Sequence, residues 1–201
     1  MNYPIIIQRL NLEERMNLTM LRMAFLGLMI VLPVYSWAEL KDENLLQTLP
    51  QGYKIDFQTR KGNMQMTEMV PQNESVNNWS EMITTQVFLG LKNITPEEFQ
   101  ARLQKTWADS CKGADFAPVT QGVENGYSFA IWIQTCPLNQ VTGKPENTWF
   151  KAIKGNDSFY VVQKAFKFAP ANEQVIGWMK YFKSVQVCDS RLADRACPKL
   201  N

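Results

Sequence analysis

The stretch from Tyr127 to Phe168 constrains this chain more than any other. Tyr127, Phe129, Ile131, Ile133 and Thr135 alternate with Ser128, Ala130, Trp132 and Gln134, the two-residue period of a strand. Trp149 to Lys154 and Phe159 to Phe168 continue in the same manner across a Gly155-Asn156-Asp157 turn. Together they predict an antiparallel sheet that carries most of the aromatic weight. Such a sheet needs a cover over its apolar face, and helical stretches at 95–110 and 171–186 can supply it. The fold class expected is therefore α+β, an antiparallel sheet covered by two amphipathic helices.

The helices have their own signatures. Thr95-Pro96-Glu97-Glu98 reads as an N-cap, a first-turn proline and the acid of a capping box. Phe99, Leu103 and Trp107 follow on one face. In the last helix Val175, Trp178, Met179, Phe182 and Val185 share a face, and Lys180 and Lys183 suit its C-terminal end. Strands are expected at Lys54 to Thr59, Met64 to Val70, Met82 to Leu89 and Phe116 to Gly122. Glu124-Asn125-Gly126 supplies a tight hairpin. Glu39 to Leu49 reads as a short helical lead-in, and Pro137 to Glu146 as a long exposed loop. Asp189 to Asn201 reads as a polar tail.

The N-terminus reads as an export signal. Met23 to Leu32 is an apolar run preceded by Arg22 and followed by Pro33 and Ser36-Trp37-Ala38, which predicts cleavage after Ala38. The run is too short for a membrane span, which needs about 18 apolar residues, and no cysteine follows closely enough for a lipid anchor. Residues 1–15 fit poorly, because Glu13 and Glu14 stand where basic residues are usual. Either the n-region is long or the true start is Met16 or Met20, and the second reading is favoured. Residues 39–201 then form one domain, periplasmic or secreted, with no integral membrane anchor after cleavage. Its charge is nearly balanced, one basic residue in excess once 1–38 are removed, which argues against a nucleic-acid partner.

All four cysteines, Cys111, Cys136, Cys188 and Cys197, follow the signal, and an even count in an exported chain reads as two disulfides. Of three connectivities, Cys111–Cys136 with Cys188–Cys197 is favoured. The first would pin a helix end to a strand end; the second would close a short C-terminal loop. The chain has no histidine and no CxxC, which argues against a metal site or cofactor. Histidine-based triads are excluded within the chain, and no GxSxG, GxGxxG or Walker sequence occurs.

Leu49-Pro50-Gln51-Gly52-Tyr53, Phe159-Tyr160-Val161-Val162 and Tyr181-Phe182-Lys183-Ser184-Val185 make residues 49–186 similar to the Mog1/PsbP-like α/β sandwich. Trp79-Ser80-Glu81-Met82-Ile83-Thr84 and Thr148-Trp149-Phe150-Lys151-Ala152-Ile153 resemble a family of small uncharacterised exported proteins of Gram-negative bacteria. The first resemblance implies a binding or accessory role; the second supplies no catalytic motif.

The expected function is thus a periplasmic, non-enzymatic binding or accessory protein, with an unknown protein or small-molecule ligand in the cell envelope. The alternatives are a partner-specific inhibitor or immunity-type protein, and a carboxylate-dependent hydrolase of cell-envelope material. Expected contacts lie on one sheet face or on the loops at 71–79 and 137–147. Glu68 and Glu81 flank the first loop and would form the acid/base pair of the hydrolase. Trp79 could rim a pocket with Tyr53 or Tyr127. Trp132, opposite in strand phase to Phe129 and Ile131, is expected to be an exposed contact, and Lys144 stands in the second loop.

Overall fold

The computed structural model describes residues 40–199 and the short strand Pro4–Ile6. The expected signal sequence and its cleavage after Ala38 otherwise lie outside the described residues.

Ten strands and two α-helices follow in the order β1 (Pro4–Ile6), β2 (Glu43–Thr48), β3 (Tyr53–Lys61), β4 (Met64–Pro71), β5 (Glu81–Leu89), α1 (Pro96–Ser110), β6 (Asp115–Glu124), β7 (Tyr127–Asn139), β8 (Lys144–Lys154), β9 (Ser158–Phe166), α2 (Asn172–Ser184) and β10 (Gln186–Asp189). β3 to β9 form one antiparallel sheet in the order β3-β4-β5-β9-β8-β7-β6, and β1, β2 and β10 form a small second sheet with β2 in the middle. The fold is α+β, as the alternation and the capping box predict.

Both helices cover the large sheet, but on opposite faces. Alternate residues of the central strands enter two separate apolar clusters. Phe129, Ile131, Trp149, Ile153, Tyr160 and Val162 pack with Val175, Trp178 and Met179 of α2. Their neighbours Ala130, Trp132, Phe150, Ala152, Phe159 and Val161 pack with Phe99, Leu103 and Trp107 of α1. A strand buried on both faces has no polar side to show, which is why 149–153 of β8 and most of β9 read as largely apolar runs.

Each helix is fixed by a local device. The Glu98 N–H donates to the Thr95 hydroxyl oxygen at 3.1 Å, and the Thr95 N–H donates to the Glu98 carboxylate at 2.8 Å, closing the capping box. The Lys151 ammonium, fully buried, donates to the Phe182 and Val185 carbonyls at 2.8 and 2.9 Å and also pairs with Glu124. It thereby caps the C-terminal end of α2 from inside the sheet.

Two expectations are corrected. Residues 43–48 form β2, not a helix. Leu45 enters the α2-side core, and Gln47 accepts from the Thr85 hydroxyl and donates to the Tyr181 hydroxyl, each at 2.8 Å. Residues 137–146 are not a long loop: β7 and β8 run on to Asn139 and Lys144 around a tight turn. The polar tail follows β10 and is held to the fold by the Cys188–Cys197 disulfide, with Arg191 bonded to Asp189 and Asp157. The cysteines pair as favoured, Cys111 with Cys136 and Cys188 with Cys197.

Candidate functional site

A cluster of polar side chains gathers at the end of the large sheet where β5 begins and β9 ends. Lys164 lies in the middle of the apolar run of β9 and is fully buried. Its ammonium donates to Glu81 and to the Tyr53 hydroxyl, both at 2.6 Å. It also lies 4.1 Å from the centre of the Trp178 ring of α2. Burial pulls its pKa down to about 8, against the opposing pull of Glu81. Burial likewise raises the Tyr53 hydroxyl, and hydrogen bonding with Glu81 adds to the rise.

Beside it, the 72–80 loop is held by one carboxylate of its own and one from β3. Glu74 accepts from the Ser80 N–H at 2.7 Å and from the Ser80 hydroxyl. Burial opposes its charge, but those bonds, the Glu81 N–H and the Lys164 charge hold its pKa below the usual range. Asp56 accepts from the Val76 N–H at 2.8 Å.

Lys167, just beyond β9, lays its ammonium 3.8 Å from the centre of the half-buried Trp79 ring. Its pKa is lowered by burial and by Lys144, and raised in part by Glu146 and Glu74. The 72–80 loop and the start of β8 therefore bring their charges to bear on a single amine.

The expected site residues separate into three groups. Trp79, Glu81 and Lys144 share this end of the sheet, joined by Lys164 and Lys167. Of the two tyrosines offered as pocket partners of Trp79, Tyr127 is buried with Arg195 5.2 Å from its ring centre, and Tyr53 is buried with its ring centre 5.5 Å from that of Trp178. Glu68 does not join Glu81. Its neighbour Met69 faces the α2-side core with Ile83, and the two-residue period puts Glu68 on the opposite face from Glu81. Burial pushes the Glu68 carboxyl up, with Thr84 opposing. The shared acid/base cleft is thus not formed.

Trp132 is not an exposed contact. It is fully buried under α1, stacked on Phe150 at 5.0 Å, and its indole N–H donates to Gln134 at 3.0 Å. Sequence reasoning missed Lys164 and Lys167; the signal available was a pair of cations in and after an otherwise apolar strand. Among the described residues, no cluster of three or more His, Cys, Asp or Glu side chains could hold a metal ion.

No protein-family model matches the chain, and no curated protein matches it. Among solved structures it is similar to a mutant of the protein Mog1, at 11% identity over 68% of this chain and 78% of that one, with a TM-score of 0.42. It is also similar to the Ran-binding protein Mog1p of Saccharomyces cerevisiae, at 10% identity over 71% of this chain and 84% of that one, with a TM-score of 0.41. Overlaps of this size assign neither a partner nor an activity.

Proposed function

We propose that the protein is an exported, non-enzymatic binding or accessory protein of the cell envelope, and that it holds its partner at the surface formed by Trp79, Lys167 and the β7–β8 turn. The observation that carries this reading is the half-buried Trp79 ring with the Lys167 ammonium 3.8 Å from its centre, where two connections meet. Tryptophan is enriched among residues that dominate interfaces, and a partly desolvated cation on its ring adds orientation. The separation of Glu68 from Glu81 removes the geometric support for the hydrolase alternative, and the Glu81 charge is met by Lys164. Two disulfides favour an oxidising compartment. Among the described residues no helix is long and apolar enough to cross a membrane.

The test is affinity capture of envelope partners with the wild type and with Trp79→Ala and Lys167→Ala. Each variant should lose at least about tenfold in affinity for the captured partner with its melting temperature unchanged. Undiminished capture by both would contradict the reading.

A further inference from the structure

We propose that the cleft between the C-terminal turn of α1 and the β7–β8 turn is a binding site for a small organic cation, a guanidinium or primary ammonium group. This goes beyond the reading above: the cleft shares the β7–β8 turn with that surface, but its other wall is α1 and neither Trp79 nor Lys167 lines it. The cavity measures about 180 Å³ and is lined by Trp107, Asn139, Val141, Glu146 and the Cys111–Cys136 disulfide, among others, with no lysine or arginine in the lining.

Three features of the cleft attract positive charge. Glu146 forms no ion pair among the described residues; its oxygens accept from the Asn139 amide at 2.7 Å and the Thr148 hydroxyl at 3.3 Å, which fixes the carboxylate without neutralising it. Trp107 offers an aromatic ring. The C-terminal end of α1 carries the negative pole of its dipole, and its last turn has no basic residue.

The two helices make the contrast plain. The C-terminal end of α2 has Lys183 in its last turn and the buried Lys151 ammonium on its carbonyls. At α1, Lys105 is bonded to Asp109, and Lys112, beyond the cap, is exposed and outside the lining. Lys167 senses Glu146 but rests on Trp79. The disulfide joins the two walls at a Cα separation of 5.9 Å, so the cleft is preformed and little ordering opposes binding.

The cation could be a free small molecule or the tip of a partner's arginine or lysine. Calorimetric titration of the purified, oxidised full chain with n-butylguanidinium, its neutral isostere n-butylurea and acetyl-Gly-Arg-Gly-amide tests the site and separates the sources. At least one cationic probe should saturate a single site, with n-butylurea bound at least about tenfold more weakly. Tighter binding of n-butylguanidinium assigns a free cation, and tighter binding of the peptide a partner's side chain. Glu146→Gln retains an acceptor for Asn139 and should weaken the cation about tenfold, whereas Trp79→Ala should leave it unchanged. Amide shifts on binding should centre on Ser110 and Asn139. No saturable binding of either cationic probe, or undiminished affinity in Glu146→Gln, would overturn the proposal.

Discussion

Lys164 donates a 2.6 Å hydrogen bond to Glu81 while its ammonium lies 4.1 Å from the centre of the Trp178 ring, so one buried cation joins β9, β5 and α2. Burial sets its pKa near 8, below the ordinary 10.5. Between those values the unfolded chain holds a proton that the folded chain lacks, so unfolding takes up a proton and stability rises with pH. Below about pH 8 both states are protonated and the contribution is flat.

The corresponding measurement is urea denaturation of the wild type and Lys164→Met. The stability of the wild type relative to the variant should increase by about 2 kcal/mol between about pH 7.5 and about pH 9.5. Lys151, whose pKa burial also lowers, is present in both proteins and cancels. A pH-independent difference would show that Lys164 keeps its proton throughout.

Glu43 organises the β8–β9 turn. Its carboxylate accepts from the backbone N–H groups of Asn156, Asp157 and Ser158 and from the Tyr160 hydroxyl. Glu43→Gln should lower stability by about 2 kcal/mol, the scale of a lost charge-assisted hydrogen bond. Gly155→Ala should also destabilise, because the added methyl would meet the same carboxylate and the Ser158 carbonyl. Thermal melts of both variants check this, and a neutral Glu43→Gln would show that water replaces the carboxylate.

The disulfides close loops of different length, with separations of 25 and 9 residues. Loop-closure entropy predicts losses of roughly 3.5 kcal/mol for the paired Cys111→Ser/Cys136→Ser variant and roughly 2.5 kcal/mol for Cys188→Ser/Cys197→Ser. Denaturant midpoints give the order, and amide exchange should localise the second change to the tail after β10. A reversed order would place the stabilisation outside loop closure.

Trp132→Ala should cost about 3–5 kcal/mol, as for other large-to-small changes in a packed core. A solvent-exposed tryptophan would cost far less, so chemical denaturation separates the two placements directly.

The sheet and helices were legible where local signals agreed. The capping box at Thr95 and the alternation through Tyr127–Thr135 needed no tertiary information. Trp132 was misread because alternation identifies two faces but not which of them is wet, and here α1 covers the second. Residues 43–48 were misread because their leucines suit either period; pairing with β10, more than 130 residues away in sequence, decides the matter. The 137–146 segment carries Gly143 and Pro145, which read as a loop, although Gly143 alone makes the turn with a positive φ of 65°. Lys164 escaped notice because its partners, Glu81, Tyr53 and Trp178, come from three distant segments.

The contact surface is tested most directly by site-specific photo-crosslinking in the native compartment, with a photoreactive phenylalanine placed singly at Trp79, Lys144 and Val123. Val123 is exposed but lies on β6 beside Ser128, at the end of the sheet opposite Glu81 and Phe166. The account predicts a discrete covalent adduct from positions 79 and 144 and none from 123. An adduct confined to position 123, or no adduct from 79 and 144, would contradict it.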